Sequence, residues 1–322
     1  MPRCTIRSQI GVGLFCHPCP KFDDTLLQRL SAPVAARFSA FCVMDAHCGL
    51  DSELVVAAMK TVTALTHFPP GLLPLIASFL EIDCILVTGG SSGGMASASA
   101  VWYSPKTGTW RTDVASMSIA RSSPATVTIG GRMMIFGGTH KSQYLTTCEA
   151  FDPCTNEWTA LSPMPTPRAC ASAVAWQGRA FIFGGYNGAP NSSSECFDPI
   201  ANRWYDIAPM ANARYHAAAV AVPGRGVLVI GGFNAHAAVR SADLYDPTTN
   251  QWTAMPWQLP KPLCAFAAHC IDGVLHILGG FSVDGHQTSD CWSMDLSAAV
   301  PIWLSIPPLP PAMSGFASVM SQ

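Results

Sequence analysis

The sequence predicts an all-β chain built by repetition. Gly-Gly pairs at 89–90, 137–138, 184–185, 231–232 and 279–280 recur in steps of 48, 47, 47 and 48 residues. A fixed step of that size marks one supersecondary unit copied in series. Each pair ends a short apolar run, CILVTGG, MMIFGG, AFIFGG, VLVIGG and LHILGG. Within a copy the apolar alternation has period two and breaks at turn residues, leaving no room for a helix. The 26 glycines and 26 prolines among 322 residues suit many short strands.

After each Gly-Gly strand comes an aromatic-turn-tryptophan cassette. It reads YSPKTGTW at Tyr103–Trp110, FDPCTNEW at Phe151–Trp158, FDPIANRW at Phe197–Trp204 and YDPTTNQW at Tyr245–Trp252. Pro presets the φ of a type I turn, and the Asp or Ser before it can bond the turn backbone. Gly108, Asn156, Asn202 and Asn250 then stand where the chain needs a left-handed residue to return. The aromatic and the tryptophan are therefore expected on adjacent antiparallel strands, against a neighbouring sheet. Full burial of one such tryptophan would contribute at most roughly 4–6 kcal/mol. Met117, Met164, Met210, Leu259 and Leu309 align next, ahead of small-residue strands such as ASAVAW and AAAVAV. The glycines are expected where backbone approaches backbone and a Cβ would clash.

Each copy is thus four short strands with two apolar faces, and radial stacking covers both. The expected fold is a β-propeller of five four-stranded blades. Gly-Gly, the aromatic before Asp-Pro, Asn or Gly, Trp and then Pro-Met together resemble the kelch repeat over residues 84–322. The fifth copy departs most, with Met294 in place of the aromatic and two extra residues before Trp303. No small-residue strand precedes Cys84, while GFASVM at Gly315–Met320 is a surplus one. That C-terminal strand is expected to complete the first blade and close the ring. Kelch propellers usually have six or seven blades, so a sixth, degenerate blade drawn from residues before 83 is the alternative.

Residues 1–83 form a separate N-terminal region, expected to be helical or partly disordered. Asp51-Ser52-Glu53 could cap a helix to about Leu65, and Asp24–Met44 has similar apolar spacing. FPPGLLPLIASFL at Phe68–Leu80 resembles the first helix of an F-box, without the rest of that motif. A helix packed on the propeller is the plain alternative. Cys16-His-Pro-Cys19, with Cys42, His47 and Cys48, lacks zinc-ligand spacing in its second half. Of the 13 cysteines, Cys148 and Cys291 fall at matching positions of copies expected to lie far apart and the remainder share no register, an odd count that reads as reduced thiols.

A net charge of −2 without a basic cluster argues against nucleic acid. The longest apolar run, Leu72–Leu80, contains Pro74 and is too short for a membrane span. The expectation is a soluble cytoplasmic protein without a cofactor.

Two groups of residues are candidates for function. Arg121, Arg168 and Arg214 each stand four residues after the aligned methionine, with Leu263 and Met313 in the same slot of the later copies. In kelch substrate adaptors arginines in this slot face a bound peptide, joined by loops after Gly-Gly. The resemblance carries that second group onto His140, Lys141, Tyr144, Tyr186, Asn187, Phe233, Asn234, His236, Phe281, Asp284 and His286. Three guanidiniums suit carboxylates, so an acidic peptide with an apolar flank is one expected partner. The other reading has each arginine bonding loop carbonyls between blades.

The resemblance implies a non-catalytic protein-interaction module. One such role is a substrate receptor of a cullin-type ubiquitin ligase, with a cullin-ligase adaptor as second partner. A cytoskeletal or scaffold role of the actin-binding type is the alternative. A metal-dependent oxidase on a kelch-like propeller would need clustered Tyr, His and Cys ligands, which the spacing of His140, His236 and His286 does not provide.

Overall fold

The computed structural model describes residues 84–309 apart from 93–94, 105–106 and 285, together with four short strands nearer the N-terminus. Among the described residues every regular element is a strand. Four sheets are four-stranded antiparallel meanders whose spatial order follows chain order. Blade two runs from Ala125–Ile129 to Glu157–Leu161, and blade three from Ser172–Trp176 to Arg203–Ile207. Blade four runs from Ala218–Val222 to Gln251–Ala254, and blade five from Ala267–Ile271 to Leu304–Ile306. Blade one contributes Cys84–Thr88, Ala100–Ser104 and Thr109–Arg111. The fold is the expected five-bladed propeller.

Beside Cys84–Thr88 the chain places Leu54–Val56, which runs parallel to it and pairs on its far side with Val43–Asp45. Three residues of the helix expected between Asp51 and Leu65 are therefore strand, where Leu-Val-Val has the β-branched character that a sheet favours. The closing strand expected at Gly315–Met320, the F-box-like segment Phe68–Leu80 and the Cys16–Cys19 pair lie outside the described residues.

The cassette folds as its residue types require. Phe151 pairs with Trp158, Phe197 with Trp204 and Tyr245 with Trp252. Asp152, Asp198 and Asp246 accept amide bonds from the turn that follows each of them. Asn156, Asn202 and Asn250 have φ of 58°, 48° and 55°. The same asparagines reach the preceding blade, where Oδ1 of each accepts from Ala115, Ser162 and Ala208 N–H. The tryptophans are half-buried rather than buried, and each indole N–H crosses to that blade too. Trp158, Trp204, Trp252 and Trp303 donate to the carbonyls of Ala115, Ser162, Ala208 and Gln258 at 2.7–2.8 Å. Trp110, in blade one, is 44% exposed.

The core lies between blades. One apolar cluster joins blades one to three, a second blades three and four, and a third blades four and five. Near the axis the link into each blade carries a left-handed residue: Ser123, Cys170, His216 and Ala265, at φ of 51–55°. Their backbones are chained, since Cys170 N–H donates to Ser123, His216 to Cys170 and Ala265 to His216, at 2.8–2.9 Å. Cys148, Cys170, Cys196, Cys264, Cys270 and Cys291 are free thiols, whereas Cys154, in the exposed turn of blade two, is disulfide-bonded.

Candidate functional site

The loops that follow Gly-Gly and the links that enter each blade meet at one face of the propeller. Backbone bridges join them in register: Ser122 with Thr139, Ala169 with Tyr186, Tyr215 with Phe233, and Cys264 with Phe281. The glycines make this approach feasible. A Cβ on Gly137, at φ +61°, would stand 2.3 Å from the Arg168 carbonyl oxygen, and one on Gly184 would stand 2.3 Å from that of Arg214.

The three arginines expected to ring this mouth do not face it. Arg121, Arg168 and Arg214 are 0–1% exposed and rank among the most buried large side chains. Arg121 donates to the carbonyls of Gly137 and Thr147 and to Glu149 at 2.5 Å. Arg168 donates to Gly184, Ser193 and, at 2.6 Å, Glu195. Arg214 donates to Gly231, Ser241 and, at 2.6 Å, Asp243. Meanwhile the carbonyl of each accepts the N–H of Gly90, Gly138 or Gly185 in the preceding blade. These arginines are staples between blades. Their charge is neutralised inside the fold and is not offered to a partner.

The reason is an acid two residues before each cassette aromatic, at Glu149, Glu195 and Asp243. Where the arginine slot becomes Leu263, the acid's position becomes Trp292, and both belong to the same apolar cluster. Burial is the largest influence on the central pair, raising the Glu195 pKa and lowering that of Arg168. In the third staple the acid is one methylene shorter. Arg214 is drawn toward it, and its carbonyl bonds lengthen to 3.3 Å, against 2.8 Å for both of those made by Arg121.

What the face does present is a band of rings. Tyr144 meets Tyr186 at 5.9 Å between centroids, Tyr186 meets Tyr215 at 5.1 Å, and Tyr215 meets Phe233 at 5.5 Å. All four are half-buried, so the band crosses from blade two to blade four with one side open. Burial raises the Tyr215 pKa, with Cys264, Cys170 and Tyr186 adding to the effect. Burial also pushes the Cys170 and Cys264 thiols up to about 11 and depresses His216. The floor of the face is therefore uncharged at neutral pH.

Sequence reasoning placed Tyr144, Tyr186 and Phe233 here but missed Tyr215. Its signal was its place directly after Arg214, in the slot that pairs with the post-glycine loop. In blade five Cys264 fills that slot beside Phe281, and the band stops at Phe233.

The other expected residues form a rim. His140 is half-buried on a short hairpin with Tyr144, and Lys141 and Asn187 are exposed at loop tips. Asn234 accepts the N–H of His236 and Ala237, fixing that loop. Asp284 accepts from the Ser282 hydroxyl, which lowers its pKa, and the His286 carbonyl accepts Ser282 N–H at 3.0 Å. Among the described residues no three His, Cys, Asp or Glu converge to hold a metal ion, and no helix is long and apolar enough to cross a membrane.

Comparison with known proteins agrees with this architecture. Residues 77–280 match the KLHDC2/KLHL20/DRC7 Kelch-repeats domain. Kelch-like protein 35 of Homo sapiens is 38% identical over 209 residues, which is 64% of this chain and 35% of that protein. The Influenza virus NS1A-binding protein of Homo sapiens is 36% identical over 72 residues, 22% of this chain and 11% of its own length. Beta-scruin of Limulus polyphemus is 27% identical over 207 residues, 59% of this chain and 22% of that protein. The chain thus spans less than two fifths of the length of each of these relatives. With its blade register, its interblade tryptophans and this match, the chain belongs to the kelch-repeat family of β-propellers.

Proposed function

We propose that this propeller is a protein-interaction module that receives an extended segment of a partner across its ring-bearing face. The observation that carries the reading is the continuous band from Tyr144 through Tyr186 and Tyr215 to Phe233. Rigid aromatics that expose one side of a supported ring are the residue types that anchor interfaces, because little side-chain freedom is lost when they are covered. The uncharged floor favours apolar side chains of the partner, and rim groups such as Lys141, Asn187, His236, Asp284 and His286 can bond its backbone. A relative whose name records that it binds a protein, the Influenza virus NS1A-binding protein, supports the class of function without naming the partner.

The finer role we propose is that of a substrate receptor, coupled to a cullin-type ligase through the segment around Phe68–Leu80. The test is affinity purification of the full chain, comparing wild type with a Tyr186→Ser, Tyr215→Ser double variant. Loss of the captured protein from the double variant is expected. Equal capture would remove the band from the interface and overturn the reading. Co-recovery of a cullin adaptor supports the receptor role, whereas recovery of actin would replace it with a cytoskeletal one.

A further inference from the structure

Beside the end of the aromatic band, where the links into blades four and five flank the loop after Gly232, the face opens into a cleft of about 440 Å³. Its lining includes Asn212, Arg214, Asn234, Arg240 and Gln258, with Ala213, Ala238, Val239 and Pro262 as its apolar part. The band leads directly into it, since Tyr215 follows Arg214 and Phe233 precedes Asn234.

The polar groups of this cleft are not matched to one another. Arg240 donates its Nε to the Leu259 carbonyl at 2.6 Å, a bond that fixes the plane of the guanidinium. Its two terminal amino groups have no partner among the described residues, and the side chain is exposed. The side-chain amides of Asn212 and Gln258 likewise make no hydrogen bond among them. Arg214 lies behind them with its charge held by Asp243, its buried Nε unpartnered as is that of Arg121. The nearby acids are already committed, Asp243 to Arg214 and Asp290 to Lys261. Arg240 is thus a fixed, uncompensated cation at the lip of an amide-lined cleft.

We propose that this cleft binds a carboxylate side chain, Asp or Glu, of the same extended segment that lies on the aromatic band. The free edge of Arg240 can take a carboxylate through two parallel N–H bonds, the geometry that distinguishes Arg from Lys. The Asn212 and Gln258 amides complete the donors. Acid recognition on this propeller then resides in Arg240, at a repeat position that is Ala98, Thr146, Ser192 or Ser289 in the other blades, and not in the three aligned arginines. The proposal rests on the reading of the face as a peptide-binding surface, and its test separates the two.

A random dodecapeptide library displayed on phage is selected on the full wild-type chain, on Arg240→Gln, and on the Tyr186→Ser, Tyr215→Ser variant. Wild type should enrich peptides with an acid at a constant distance from an apolar or aromatic residue. Synthetic copies should bind Arg240→Gln about ten- to a hundredfold more weakly, the range for loss of a charge-assisted bond, and Arg203→Gln, a distant exposed control, as tightly as wild type. Peptides enriched on wild type without a preferred acid, or bound equally by Arg240→Gln, overturn this inference and leave the face as a binding surface. Failure of wild type to enrich any peptide overturns both.

Discussion

Arg168 and Glu195 face each other at 2.6 Å with 1% and 2% of their side chains exposed, joining the end of one blade to the middle of the next. Burial shifts both groups toward their neutral forms, so loss of water is the larger influence and the attraction between them offsets only part of it. Arg168→Ala should cost about 3–5 kcal/mol by leaving a buried carboxylate alone, while Arg168→Met with Glu195→Met should recover part of that, the bonds to the Gly184 and Ser193 carbonyls staying lost. Midpoints of denaturant unfolding check this. A double variant as unstable as the single one would mean that the ion pair itself holds the blades.

Gly137 and Gly178 both have positive φ, +61° and +75°, but only Gly137 has backbone in the path of a Cβ. Gly178→Ala should cost about 1 kcal/mol, the strain of a left-handed alanine. Gly137→Ala, whose Cβ would also have to displace the Arg168 carbonyl, should cost several times more. Paired thermal melts would show the difference, and equal losses would refute the close-approach role of the first glycine.

His269 lies on the inner strand of blade five opposite His276, and burial, with a smaller contribution from His276, depresses it to about 4. Histidine in the unfolded chain titrates near 6.5. Between these values the unfolded chain binds a proton that the native protein does not. Stability should therefore be complete above pH 6.5 and fall as pH drops toward 4, by up to roughly 1.4 kcal/mol per pH unit. Urea unfolding between pH 7 and 4.5 measures the slope, and His269→Gln should flatten it even if its absolute midpoint is lower.

The indole N–H of Trp158 reaches the Ala115 carbonyl at 2.7 Å, whereas that of the more exposed Trp110 has no partner among the described residues. Trp158→Phe should lose about 1 kcal/mol or somewhat more, and Trp110→Phe distinctly less. Equal losses would show that the interblade bond contributes nothing measurable.

The blades were legible because their makers are local. Asp198 holds its own turn, Asn202 turns left-handed four residues later, and Trp204 pairs back to Phe197. Such features survive in any chain that repeats them. The direction of the arginines was not local. Slot alone puts Arg168 near the mouth, and only Glu195, 27 residues on, turns it inward. The coupled change to Leu263 and Trp292 was visible in the sequence as a co-occurrence between two repeat positions, but neither position is informative alone. Tyr215 escaped for a similar reason, since it comes from a link while the other three rings come from loops after Gly-Gly, and only spatial contact joins them. The strand at Leu54–Val56 lies outside the repeat, where period counting has no reference.

The amide chain from Ser123 through Cys170 and His216 to Ala265 works as a hub. Deuterium should enter the Cys170, His216 and Ala265 amides last, after the outer strands have exchanged, because releasing one of them means parting two neighbouring sheets. The rims should then breathe while the hub stays still. Loops mounted above it share that one support, so a segment bound as proposed across three of them would meet no slack at the joints.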